Sequence, residues 1–97
     1  MNNEINFQVG SFGYSTTASI DKPSFDALTL CMKYLLCLPV NRDFPLKVIT
    51  VVAANGVHYT LCVAIGGEIY VDIDSAERGW SHFTSLELVS RLKEAAA

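Results

Sequence analysis

The chain is short of charge. Only 18% of its 97 residues are Asp, Glu, Lys or Arg, against roughly 25% in an average soluble domain. So little charge implies a core covered on both sides, or a surface with apolar ground left for a partner. There is no basic run either. The seven cations, Lys22, Lys33, Arg42, Lys47, Arg78, Arg91 and Lys93, are scattered among ten acids, and the net charge is -3. A binder of the phosphate backbone gains from clustered Lys and Arg through counterion release, so nucleic acid is not an expected ligand.

Long apolar runs are missing as well. None reaches the roughly 18 residues that a membrane span requires, so no membrane partner is expected. The N-terminal stretch MNNEINFQVG lacks the basic and apolar regions of a signal peptide. Cysteine is scarce and odd in number: Cys31, Cys37 and Cys62 lie in apolar stretches. Buried, reduced thiols fit that pattern, and a cytoplasm, bacterial or host, is the expected compartment.

What the chain does have is apolar content, 51% of its residues, enough for one core at this length. Residues 1–97 read as a single domain. Ile5, Phe7 and Val9 alternate in one strand, and Tyr14, Thr16, Ala18 and Ile20 in the next, with a turn over residues 10–13. Those glycines do not lead into a helix and bring no lysine, so a phosphate cradle is not expected.

A helix follows from about Ser24 to Leu38, with Asp21 or Ser24 as cap and Pro23 in the first turn. Its only polar stripe, Asp26, Thr29 and Lys33, predicts a mostly buried helix. Pro39 and Asn41-Arg42-Asp43 are its expected stop. Leu46–Ala54, Val57–Ile65 and Ile69–Asp74 read as a three-strand meander, turning at Asn55-Gly56 and at residues 66–68. A last helix is expected from Thr84, with a Thr84/Glu87 capping box and a Phe83/Leu88 staple. The predicted class is α+β: a two-layer domain of ββαβββα order, its antiparallel sheet packed on two helices.

Pairing Ile65 with Ile69 gathers Leu61, Val63, Val71 and Ile73 on one apolar face. His58, Thr60, Cys62, Ala64, Tyr70, Asp72 and Asp74 then share the other face. A two-residue Asn55-Gly56 turn adds Ile49, Val51 and Ala53 to that second face. His58 and Asp74 become diagonal neighbours.

The stretch HYTLCVAIGGEIYVDID, His58 to Asp74, resembles the papain-like and transglutaminase-like cysteine enzymes, which carry His at a strand start and Asp ending the next strand. The resemblance covers 17 residues and implies a Cys31, His58, Asp74 set for hydrolysis or acyl transfer. Where that family carries its nucleophile, at a helix start, this chain has Pro23-Ser24-Phe25.

No cofactor and no metal are expected. His58 and Cys62 lack a second paired site, and Asp72, Asp74 and Glu77 lack the glycine and closing Glu of a calcium loop. Arg78, Trp80 and His82 gather in the segment SAERGWSHF, and Trp and Arg are residue types enriched at binding hot spots. The leading expectation is therefore a small acidic protein-binding module of inhibitor, immunity or antagonist type, of the kind a phage or mobile element can encode. It acts by association, with Trp80, Arg78, His82, Tyr70, Asp72 and Asp74 at the surface used. The partner is another protein, or a second copy meeting through the sheet face. A minimal cysteine enzyme is the alternative.

Overall fold

The computed structural model describes residues 4–37, 47–64 and 66–97. Strands β1 (Glu4–Ser11) and β2 (Tyr14–Asp21) form an antiparallel hairpin with Ser11 opposite Tyr14. The two linking residues both take left-handed backbone, Phe12 at φ 48° and Gly13 at φ 84°. That is the signature of a type I′ turn, whose twist matches the strands it joins. Phe7, Val9, Ala18 and Ile20 are buried on one side of the ribbon, as their alternation predicts.

Helix α1 (Lys22–Cys37) starts directly from β2. Asp21 caps it, its carboxylate accepting from the Ser24 N–H at 3.1 Å and the Ser24 hydroxyl at 2.8 Å. Phe25, Leu28, Met32 and Leu35 form its buried face. The expectation of a mostly buried helix is corrected: Leu30, Tyr34 and Leu36 are exposed. Thr29 is buried instead, because its hydroxyl bonds back to the Phe25 carbonyl at 3.0 Å. The expected stop at residues 39–43 lies outside the described residues.

Strands β3 (Lys47–Val52), β4 (His58–Val63), β5 (Ile69–Ser75) and β6 (Trp80–Phe83) follow, then helix α2 (Leu86–Ala96). The expected ββαβββα order is present, with β6 added before the last helix. The four strands make one antiparallel sheet in the order β3-β4-β5-β6. Gly10 and Thr84 join this sheet to the hairpin through an isolated antiparallel bridge. Helices and hairpin pack on one side of the sheet, around a core that includes Phe7, Leu28, Tyr59, Leu61, Ile73, Leu88 and Leu92. No helix among the described residues is long and apolar enough to cross a membrane.

Three local expectations need correction. The Ala53 N–H bonds the Val57 carbonyl and Gly56 bonds back to Ala53, so Ala54, Asn55 and Gly56 all lie in the loop. Only Gly56 is left-handed there, at φ 83°, and the Asn55 side chain accepts from the Val57 N–H at 3.1 Å. This three-residue loop puts Val52, not Ala53, opposite His58. The one-residue slip flips the strand, so Ile49, Val51 and Ala53 face the core, and Val48, Thr50 and Val52 take the second face.

In the next hairpin Ala64 bonds Glu68 and Ile69 faces Val63. The expected partner of Ile69, Ile65, lies outside the described residues. This shift is by two positions, so the predicted faces survive it. Finally, Ser85 rather than Thr84 caps α2, its hydroxyl accepting from Leu88 N–H at 3.0 Å. Thr84 is engaged by Gly10, and Glu87 accepts instead from the Gln8 N–H at 3.3 Å.

Candidate functional site

Among the described residues no helix packs on the second face of the sheet. Val48, Val52 and Tyr70 are exposed on it, beside Thr50, Thr60 and Cys62. The β4–β5 register sets His58 directly opposite Asp74, Thr60 opposite Asp72 and Cys62 opposite Tyr70. His58 and Asp74 are thus neighbours, closer than the expected diagonal. Thr50 and Thr60 hydroxyls meet at 2.9 Å, and the Tyr70 hydroxyl donates to Glu68.

At the β6 end the ladder is broken. Ile73 pairs with Phe83 but Ser75 pairs with Trp80, so two residues of β6 oppose one of β5. This is a β-bulge, and such bulges re-aim side chains. His82 sits in it at φ 56°. Its N–H donates to Asp74 Oδ1 at 2.9 Å, and its Nδ1 lies 3.3 Å from Asp72 Oδ2. The donor atoms of Asp72, Asp74 and His82 converge within 4.8 Å of one another. A divalent cation would use these three, although their hydrogen bonds already account for the arrangement.

Trp80, expected at the surface used, is 9% exposed. It stacks on Phe83 at 5.3 Å between centroids, and Arg78 covers it with Cζ 5.0 Å from the ring. Its contribution is therefore to seat β6 and orient Arg78, while the exposed chemistry belongs to Arg78 and His82.

The aromatic line continues. Phe83 meets Tyr14 edge to face at 5.8 Å, which leads from β6 to the tip of the β1–β2 hairpin. Between that tip and the start of α2 lies an open groove of about 470 Å³, lined by residues 8–15 and 84–87. Its apolar members are unusually bare: Phe12 is fully exposed and Leu86 is 83% exposed, with Tyr14 exposed beside them.

The three residues of the thiol reading do not come together. His58 projects from the second face of the sheet, whereas Cys31 is on α1, half-buried against the core on the other side. Burial also pushes the Cys31 thiol up, and burial with the nearby Asp72 charge does the same to Cys62. Both shifts disfavour the thiolate a nucleophile needs.

Comparison with known protein families, curated proteins and solved structures finds no match for this chain. Sequence reasoning missed Phe12 and Leu86 as surface candidates. The available signal was Phe at a turn position where Asn or Gly is the usual residue.

Proposed function

We propose that this chain is a protein-binding module that acts by association, and that Phe12 is its anchor. The observation that carries this reading is Phe12 itself. A bulky residue with φ near +50° costs on the order of 1 kcal/mol, and in αL it is an outlier. Burial normally offsets such strain, but this ring is fully exposed. It contributes nothing to the fold that Asn would not. Backbone strain without a folding return points to a role outside the fold.

The groove beside it supports the reading. Phe12, Tyr14 and Leu86 line it together, with the acid Glu87 beside them. The matching partner is a protein offering an apolar socket with a basic rim, which suits the net charge of -3. An inhibitor, immunity or antagonist protein acts through such a surface, with the Arg78 and His82 end of the sheet as its flank. The test is affinity capture from the source cells with wild-type chain and with Phe12→Asn and Leu86→Ser. A partner held by wild-type and lost by both variants supports the reading. Equal capture by all three chains overturns it.

A further inference from the structure

Strand β3 ends the four-stranded sheet, and among the described residues nothing pairs with its outer edge. Exposed edges are normally blunted by lysine, proline, a bulge or an inward-pointing charge. Apart from Lys47 at its start, β3 has none of these, and Val48-Ile49-Thr50-Val51-Val52 is β-branched throughout. It is also nearly palindromic. About Thr50, Val48 mirrors Val52 and Ile49 mirrors Val51.

The backbone shares that symmetry. The Ala53 N–H points to Val57 on the β4 side, and polar groups alternate in direction along a strand. Ile49 and Val51 therefore bond β4, while Val48, Thr50 and Val52 turn N–H and C=O outward. The close Thr50–Thr60 hydroxyl contact at 2.9 Å fits this assignment, since non-hydrogen-bonded pairs bring side chains nearest. The outward donors and acceptors are centred on Thr50, as the sequence is.

We propose that β3 pairs antiparallel with β3 of a second copy across a two-fold axis at Thr50, joining two four-stranded sheets into one. Thr50 then exchanges both backbone bonds with Thr50 of the second copy. Val48 does so with Val52 of the second copy, and Val52 with Val48, so every outward group of the segment is satisfied. Directly opposed residues point to the same side. The second faces of the two sheets thus become continuous, and both α1 helices lie on the other side. There Leu30 and Tyr34, exposed by 65% and 59%, are one turn apart on a helix that contacts β3. The inference uses a different surface from the Phe12 groove and stands or falls independently of it.

The experiment is solution mass together with amide exchange of the full chain over a concentration series. The expected result is a mass rising to twice 10.6 kDa, with Val48, Thr50 and Val52 amides becoming protected as it rises. Ile49 and Val51 amides stay protected at every concentration. Thr50→Pro removes an outward N–H, which an edge strand tolerates, together with the exposed hydroxyl contact to Thr60, and is expected to stay folded and monomeric. Should that variant not fold, Thr50→Lys and Thr50→Glu replace it: each alone is monomeric, and their mixture dimerises. A chain that stays monomeric at all concentrations overturns the proposal. So does a dimer whose Val48, Thr50 and Val52 amides exchange as fast as in the monomer, because that dimer meets elsewhere.

Discussion

Gly10 and Thr84 exchange both of their backbone hydrogen bonds, at 2.9 and 3.0 Å. The residues are far apart in sequence, yet this bridge fixes the hairpin tip against the start of α2 and so shapes the groove. Gly10 is also crowded within its own hairpin, against β2. A Cβ there would lie 2.9 Å from the Tyr14 carbonyl oxygen, a backbone atom with little room to yield. Gly10→Ala is expected to cost about 1–3 kcal/mol through this overlap. Urea unfolding measures that cost, and amide exchange at Thr84 should accelerate beyond it. An unchanged midpoint with unchanged exchange would show that the bridge does not depend on glycine.

The Tyr59 ring is wholly buried, but among the described residues its hydroxyl has no hydrogen-bond partner. A buried polar group left unpaired costs on the order of 1–3 kcal/mol. Tyr59→Phe is therefore expected to be neutral or to stabilise by about 1 kcal/mol, a direction opposite to most core changes. The pH dependence follows from the same burial, which pushes the Tyr59 phenol from 10.0 up to about 12. A raised acid favours the neutral form in the folded state. Its stability is complete below pH 10.0 and is lost as pH climbs toward about 12. Thermal unfolding across that window should fall more steeply for wild-type than for Tyr59→Phe. Parallel curves would contradict the assignment. Tyr70→Phe is the control, since the Glu68 hydrogen bond also raises that phenol.

Asp21 links three elements. Its carboxyl is held below its usual 3.8, chiefly by the Ser24 hydroxyl, against an opposing push from burial and with backbone help that includes Ala54. A depressed acid stabilises the fold above its unfolded value, and that stability is lost as pH falls through the folded value. Asp21→Ala is expected to cost about 1 kcal/mol at neutral pH, as the loss of a helix cap does. Asp21→Asn keeps an acceptor, so it should unfold with a weaker dependence on pH below 3.8. Chemical denaturation at neutral and acid pH separates the two. Equal acid sensitivity of wild-type and Asp21→Asn would remove Asp21 from the account.

Much of the fold is legible residue by residue, because burial follows parity. Ile5, Phe7 and Val9 alternate, and so do Leu61, Val63, Val71 and Ile73. Their faces survive even a two-position error in pairing. Turn chemistry is where reading by parity fails. Asn55-Gly56 has the signature of a two-residue turn, but the Asn55 side chain bonds the Val57 N–H, and the longer loop flips β3. Strand β6 is hidden for a related reason: four residues with a bulge and a left-handed His82 show no alternation.

Of the site, the His58–Asp74 neighbourhood can be read from strand pairing alone. The groove cannot. It exists because Gln8 and Glu87, 79 positions apart, are brought together by a bridge that no local pattern announces.

The most direct test of the central claim uses one variant, Phe12→Asn, and two readouts. Asn accepts left-handed backbone readily at this turn position, so the unfolding free energy should rise by about 1 kcal/mol. Partner capture from the source cells should nevertheless be lost. A variant made more stable and less able to bind is the result this account predicts. A variant that is less stable and still binds would contradict it, because Phe12 would then serve the fold.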